Sequence, residues 1–194
     1  MRCEDLLGGV KRYQNMTSYD EAYWECFPRR DVWENYSSLT EENAKNIVVQ
    51  FLRKWHVRGK INIPKLCVVW IKLGEDMDAL RNFDFSNVEL EGEGITDIIK
   101  HCFKKLREVL GPTGISKVLH MCNPKLFIMW DKNIRDGYGV SKNEQGYILF
   151  MKLMQNELRE AFKTDSEGKL KSITQESRKT FTKLVDEYNY AKYK

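Results

Sequence analysis

Apolar residues recur along most of this chain at the three- and four-residue spacing of amphipathic helices. One such face runs from Ala44 to Trp55, and the clearest runs from Ile95 to Leu110 with basic residues on the opposite side. A third stripe joins Phe150 to Phe162, and a last helix is expected to begin near Ser172 and to continue past Tyr188. With only four prolines in 194 residues, the pattern predicts an all-α fold.

The periodicity fails between residues 82 and 94, where acidic residues stand among glycine and asparagine. This segment is either a connection between two helical halves or a β-like excursion, and the pattern does not separate the two. No internal repeat is visible, so residues 1–194 are predicted to form a single compact multi-helix unit. Two helical subdomains flanking a cleft are the alternative arrangement.

A glycine-rich turn, Gly111-Pro112-Thr113-Gly114, ends the helix that begins near Ile95. A second helix is expected from Ile115 to about Asn123, with glycines of positive φ in the turn that precedes it. Unshielded turn amides beside a helix N-terminus suit a phosphate, although a simple αα-hairpin would also explain the glycines. The candidate phosphate contacts are Gly111, Thr113, Gly114, Ser116 and Lys117.

An apolar run, Leu126–Trp130, leads directly to Asp131. As the N-cap of a third helix, Asp131 would accept a hydrogen bond from the amide of Asn133 or Ile134. As a catalytic group, a carboxylate at the edge of an apolar pocket would act as a base or stabilise a developing cation. The two roles are compatible, because a helix N-terminus keeps the carboxylate ionised and oriented.

These two motifs together resemble the helix-hairpin-helix DNA glycosylases, the superfamily of 8-oxoguanine and endonuclease III-like enzymes. Leu110-Gly111-Pro112-Thr113-Gly114 is similar to the family's hairpin, and Trp130-Asp131-Lys132-Asn133-Ile134 to its catalytic Asp stretch. The resemblance covers about residues 95–140. The chain departs from the family at Pro112, where a glycine is usual, at Asn133, where a histidine is usual, and in a shorter connecting segment.

The resemblance implies duplex DNA as the partner and removal of a damaged or mismatched base by base flipping and N-glycosidic bond cleavage. Asp131 would be the catalytic carboxylate. Family members that also cut the strand carry a Schiff-base lysine at the start of the second hairpin helix, where an ungapped alignment places Ser116. Lys117, one residue later, is therefore expected to be either the amine nucleophile of an AP lyase or a phosphate contact.

Four aromatic residues are candidate walls of a base pocket, with core packing as the favoured alternative for each. They are Trp130, Trp55, Phe127 and Tyr138. The alternative function is a non-catalytic helix-hairpin-helix module that binds DNA, in which Asp131 is only a cap and Lys117 only a phosphate contact. A helical protein–protein adaptor would leave both motifs unexplained.

Composition and charge exclude few of these candidate functions. A formal charge of +4 and a pI near 8.7 permit binding to a polyanion without establishing it. Five cysteines without a C-x-x-C pair disfavour zinc and iron–sulfur sites, so neither a metal nor another cofactor is expected. Free thiols, an acidic start and no apolar run of ~20 residues predict an intracellular protein away from membranes. Protein partners are not predicted.

Overall fold

The computed structural model describes residues 1–26 and 39–194, and within those ranges it contains helices and no strand. The all-α fold class is therefore confirmed. The α-helices are α1 (Cys3–Met16), α2 (Tyr19–Cys26), α3 (Glu41–Asn43), α4 (Gln50–Lys54), α5 (Ile63–Lys72), α6 (Gly74–Leu80), α7 (Ile95–Leu106), α8 (Pro112–Cys122), α9 (Lys132–Tyr138), α10 (Glu144–Lys163), α11 (Lys169–Ser177) and α12 (Phe181–Tyr193), with a π-helical segment, Ala44–Val49, between α3 and α4. In these ranges no helix has the length and apolarity needed to cross a bilayer.

The first and last helices of the chain, α1 and α12, pack along each other. Gly9 allows this close approach, because a Cβ at that position would lie 3.1 Å from the backbone Cα of Tyr188. Buried apolar residues from both helices belong to the same cluster as those of α7, α8 and α10. The two ends of the chain thus form part of the same core as its middle.

Helices α7 and α8 are joined by a short turn, and α8 begins earlier than expected, at Pro112. Proline suits this first helical position, because the amide that it lacks would have had no partner there. The expectation of positive φ in this turn is wrong. Gly111 is an extended N-cap with φ −77°, and Gly114 lies inside the helix, where a Cβ would come within 3.3 Å of Val57.

The segment from residue 82 to residue 94 is an ordered connection without a strand. Its apolar residues Phe85 and Val88 are buried, and the side-chain amide of Gln155 donates to both of their carbonyls, at 2.7 and 2.9 Å. The side-chain amide of Asn123 donates to the carbonyls of Leu80 and Phe83. These bonds attach the connection to the helices that surround it.

The C-terminal region differs from the single helix expected after Ser172. Helix α11 ends at Ser177, and Arg178 then adopts a left-handed conformation with φ 55°. Thr180 starts the next helix, because its hydroxyl accepts from the amide of Lys183 as an N-cap. Near the other end of the chain, Thr40 is the N-cap of α3, and its hydroxyl accepts from the amide of Asn43.

Candidate functional site

The start of α8 is tied to the residue before Asp131 by buried hydrogen bonds. The Ser116 hydroxyl accepts from the amide of Trp130 at 3.2 Å and lies within donating distance of the Thr113 and Trp130 carbonyls. The indole N–H of Trp130 donates to the carbonyl of Pro112 at 3.1 Å. Ser116, a predicted phosphate contact, is fully buried, and its hydroxyl helps to fix the position of the following Asp131.

Asp131 is the N-cap of α9. Its Oδ1 accepts from the amide of Ile134 at 2.9 Å, as the cap reading predicted. Arg135, in the same helix, lies against the Trp130 ring and donates to the Thr113 hydroxyl at 3.2 Å. The cap and the Arg135 bridge together hold the carboxylate in a fixed direction relative to α8.

Lys117 and Asp131 both line a small cavity inside the protein, here called the inner cavity. Its volume of about 30 Å³ holds about two or three water molecules. The lining residues are Tyr13, Tyr19, Trp55, Lys117, Met129, Trp130, Asp131, Ile134, Asp186 and Tyr190. The Lys117 ammonium donates to the Trp55 carbonyl at 2.9 Å and lies 4.8 Å from the centre of its ring. The fold therefore places an amine and two carboxylates around a space only a few ångströms wide.

The surroundings of the inner cavity lower the pKa of Lys117 and so raise the fraction that is present as free amine. Burial lowers the pKa of Lys117 to about 8, Asp186 and Asp131 oppose that shift, and the cationic Lys183 and Lys194 add to it. Burial also raises the pKa of Asp186 to about 6, against the attraction of Lys183. About a tenth of Lys117 is therefore unprotonated and nucleophilic at pH 7, far more than for a lysine of ordinary pKa.

A buried network of ion pairs, the α12 network, lies behind the inner cavity. Lys183 is fully buried, with its Nζ 2.9 Å from Glu187 and 3.5 Å from Asp186. Lys179 pairs with Asp20 at 2.5 Å and with Glu187 at 2.7 Å. Burial alone would lower the pKa of Lys183, but the surrounding carboxylates raise it well above its ordinary value. Lys183 is therefore a permanent cation, unlike Lys117.

A larger depression, the outer cleft, has a volume of about 600 Å³ and lies on the solvent side of Asp131. It is lined by residues 111–114 at the start of α8, by residues 56–58 and 131–133, and by Lys194. No side chain caps the first turn of α8, so its amides contribute positive potential together with Arg58, Lys132 and Lys194. Asp131 lines both spaces and therefore lies at the boundary between them.

The structure groups most of the residues singled out from sequence into these two spaces. Trp55 and Trp130 are walls of the inner cavity, while Gly111, Thr113 and Gly114 line the outer cleft.

The other two candidate pocket walls, Phe127 and Tyr138, do not line the inner cavity or the outer cleft. Phe127 is fully buried core, and the Tyr138 hydroxyl donates to Asn189 at 2.8 Å.

Sequence reasoning missed the contributions of α1, α2 and α12. Tyr13, Tyr19, Asp186 and Tyr190 reach the inner cavity from parts of the chain far from residues 95–140, and no local motif marks them.

His120, on α8, is a buried structural residue. Its Nδ1 donates to the Phe127 carbonyl at 2.7 Å and its Nε2 accepts from the Tyr23 hydroxyl at 3.1 Å. Burial lowers the pKa of His120 to about 3, so the ring stays neutral. The arrangement joins α2 to the segment that leads to Asp131. Because both ring nitrogens of His120 are hydrogen-bonded, Lys117 is the candidate nucleophile of the site.

Comparison of the chain with models of protein families, with curated proteins and with solved structures found no match.

Proposed function

We propose that this protein is a DNA repair glycosylase with AP-lyase activity, in which Lys117 is the amine nucleophile and Asp131 the catalytic carboxylate. One observation carries the proposal: an amine whose pKa is lowered to about 8 shares a small cavity with a carboxylate at its mouth. Enzymes that form Schiff bases need this kind of desolvated lysine. Helix α7, the turn and α8 are interpreted as the helix-hairpin-helix motif that the sequence resembles.

The outer cleft is suited to the sugar–phosphate backbone of DNA. The uncapped N-terminus of α8 would bind one phosphate, and Arg58, Lys132 and Lys194 would contact the neighbouring phosphates of the same backbone. Pro112 removes one amide from this turn, but it occupies the first helical position, where the next two amides still lack helical partners. Binding through these phosphate contacts would not depend on the DNA sequence and would weaken as the salt concentration rises.

The volumes of the outer cleft and the inner cavity suit different parts of a flipped nucleotide. The outer cleft, at about 600 Å³, lies in the usual range of ligand sites and has room for a base. The inner cavity holds only a few waters, so it would receive the C1′ edge of the sugar and not the base. Asp131, at the boundary, would then stabilise the cationic sugar as the glycosidic bond breaks, and Lys117 would attack C1′ from the inner side.

A non-catalytic DNA-binding module is the second candidate, and one observation favours it. Asp131 already serves as a helix cap and Lys117 already donates to the Trp55 carbonyl, so each side chain has a structural task. In that case the outer cleft would still bind DNA, but the inner cavity would have no chemical role.

Base release and covalent trapping separate the two candidates. The protein is incubated with duplexes that contain oxidised or alkylated purines, uracil or mismatches, and a second set contains a preformed abasic site with borohydride. We expect release of at least one base and a trapped adduct, with the release lost in Asp131→Asn and the adduct lost in Lys117→Gln. Lys171→Gln is the matched control, because it removes the same charge from an exposed position on α11.

Absence of base release and of the adduct from the wild-type protein, with DNA binding intact, would favour the non-catalytic module. Full activity in Asp131→Asn would remove that residue from the mechanism. An undiminished adduct in Lys117→Gln would move the nucleophile to another amine.

Salt dependence tests the DNA interface independently of chemistry. If about three phosphates are contacted, the logarithm of the binding constant should fall by about 3 for each tenfold rise in salt. Arg58→Gln should reduce that slope by about one unit. A flat response to salt would count against both candidates.

A further inference from the structure

Asp186 brings a second carboxylate into the inner cavity, from the opposite end of the chain to the hairpin. It lies on α12, is 7% exposed, and lines the cavity together with Lys117 and Asp131. Its Oδ2 is 3.5 Å from Lys183. Asp186 and Lys117 are also close enough to interact electrostatically, because the charge of each shifts the pKa of the other.

We propose, on the basis of the glycosylase and lyase function proposed above, that Asp186 is a second catalytic carboxylate that removes the C2′ proton in the strand-cleaving step. Asp131, at the mouth of the cavity, stabilises the sugar cation as the glycosidic bond at C1′ breaks. Asp186, which lines only the inner cavity, removes the proton from the neighbouring carbon, C2′.

The elimination has a complete balance of atoms and electrons. The Lys117 amine adds to C1′ of the ring-opened abasic sugar, one proton is taken from solvent, and water leaves as the iminium forms. Asp186 then takes the C2′ proton, the C–H electron pair becomes the C2′=C3′ double bond, and the C3′–O bond breaks with its electrons on the departing phosphate. Water hydrolyses the iminium, which restores the Lys117 amine and returns one proton to solvent, and the protonated Asp186 also gives its proton to solvent. No metal, oxidant or reductant enters the step.

The other carboxylates near the cavity are placed for different tasks. Asp131 is held at the boundary by its bond to the Ile134 amide. Asp20 and Glu187 pair with Lys179 and Lys183 in the α12 network and do not line the inner cavity.

The protonation behaviour of Asp186 also fits a general base. Burial raises its pKa to about 6, which leaves it ionised at neutral pH yet more basic than an exposed carboxylate. The charged or titratable groups that face it come from four other elements as well as from α12 itself: Lys183, Glu187 and Tyr190 on α12, Lys117 on α8, Asp131 at the start of α9, Tyr19 and Asp20 on α2, and Tyr13 on α1.

The test uses a duplex with a preformed abasic site, so that base recognition plays no part. Borohydride trapping measures the Schiff base, and strand scission in single turnovers measures the elimination. For Asp186→Asn we expect scission to fall about 100-fold while adduct formation stays within about threefold of wild type. Asp186→Glu should recover part of the scission. Asp20→Asn is the matched control, because it loses an ion pair of the same network without removing a carboxylate from the cavity, and it should keep the wild-type ratio of scission to adduct.

Wild-type protein supplies a second arm that does not depend on the folding of a variant. When the Schiff base is formed at pH 7.5 and the solution is then brought to pH 5, protonation of the Asp186 carboxyl should slow scission about tenfold.

Each outcome has a distinct meaning. Unchanged scission in Asp186→Asn, an equal loss of scission in Asp20→Asn, or scission that does not slow after the change of pH would overturn the role of Asp186 and leave the lysine chemistry intact. Failure of the wild type to form any adduct would instead refute the proposed function, and the role of Asp186 with it.

Discussion

Lys117→Met is expected to stabilise the protein at neutral pH, although it removes the proposed nucleophile. Burial lowers the pKa of Lys117 to about 8 from 10.5. Between these two values the unfolded chain binds the proton and the folded protein does not. The stability of the wild type should therefore rise with pH through this window, and methionine, which has no proton to lose, should show no such rise.

The magnitude follows from the two pKa values. The lowered pKa corresponds to a penalty of about 3 kcal/mol at pH 7, which falls to about 1 kcal/mol at pH 10. Loss of the hydrogen bond to the Trp55 carbonyl costs the variant about 1 kcal/mol at any pH. The variant should then be more stable than wild type by about 2 kcal/mol at pH 7 and about equal to it at pH 10.

The measurement is urea unfolding of both proteins at several pH values from 7 to 10, followed by tryptophan fluorescence. In thermal unfolding, the gap between the two melting temperatures should close by about 4–8 °C over the same range. Lys171→Met, at an exposed position on α11, is the control and should track the wild type throughout. A difference between wild type and Lys117→Met that stays constant with pH would show that the Lys117 amine is solvated, and the argument for a nucleophile would fail.

Three further predictions concern the reactivity of Lys117, the role of the Ser116 hydroxyl and the start of α10. Trapping of Lys117 on abasic DNA should reach half its maximum near pH 8, since the free amine is the reactive form, and a midpoint near that of an ordinary lysine would contradict the assignment. Ser116→Ala removes the acceptor of the buried Trp130 amide, so it should cost about 1–3 kcal/mol in thermal unfolding and slow adduct formation; an unchanged protein would mean that the hydroxyl does not position the site. Gly146→Ala would place a methyl group against the backbone carbonyl of Ser141, so unfolding experiments should show a loss of about 2–4 kcal/mol, and a neutral result would place the start of α10 elsewhere.

The local features of this fold could be predicted because they depend on neighbours in sequence. The apolar stripe of α7 and the cap at Asp131 each involve residues within four positions of one another. Ser116 could not be placed in the same way, because its partner Trp130 comes from a different segment and nothing beside it in the chain signals burial. The break at Arg178 was missed for a related reason, since no glycine or proline marks its left-handed backbone.

The contribution of α12 to the site was beyond any local pattern. Asp186 and Glu187 follow Lys183 at three and four positions, the spacing of an ordinary exposed ion pair on a helix surface. The packing of α12 against α1 and α9 buries these charges and places Asp186 at the inner cavity. Sequence could therefore propose Lys117 and Asp131 as reactive groups, but it could not find the surroundings that make an amine reactive.

The packing of α12 on α1 also determines the protonation of Lys117. The desolvated surroundings of Lys117 are completed by Tyr13 from the first helix and by Asp186 and Tyr190 from the last. Without the last helix, Lys117 would have the protonation of a solvated lysine and would react only slowly with aldehydes at neutral pH. The low pKa that the proposed nucleophile requires therefore depends on contacts from α1 and α12, and residues 95–140 alone would not supply it.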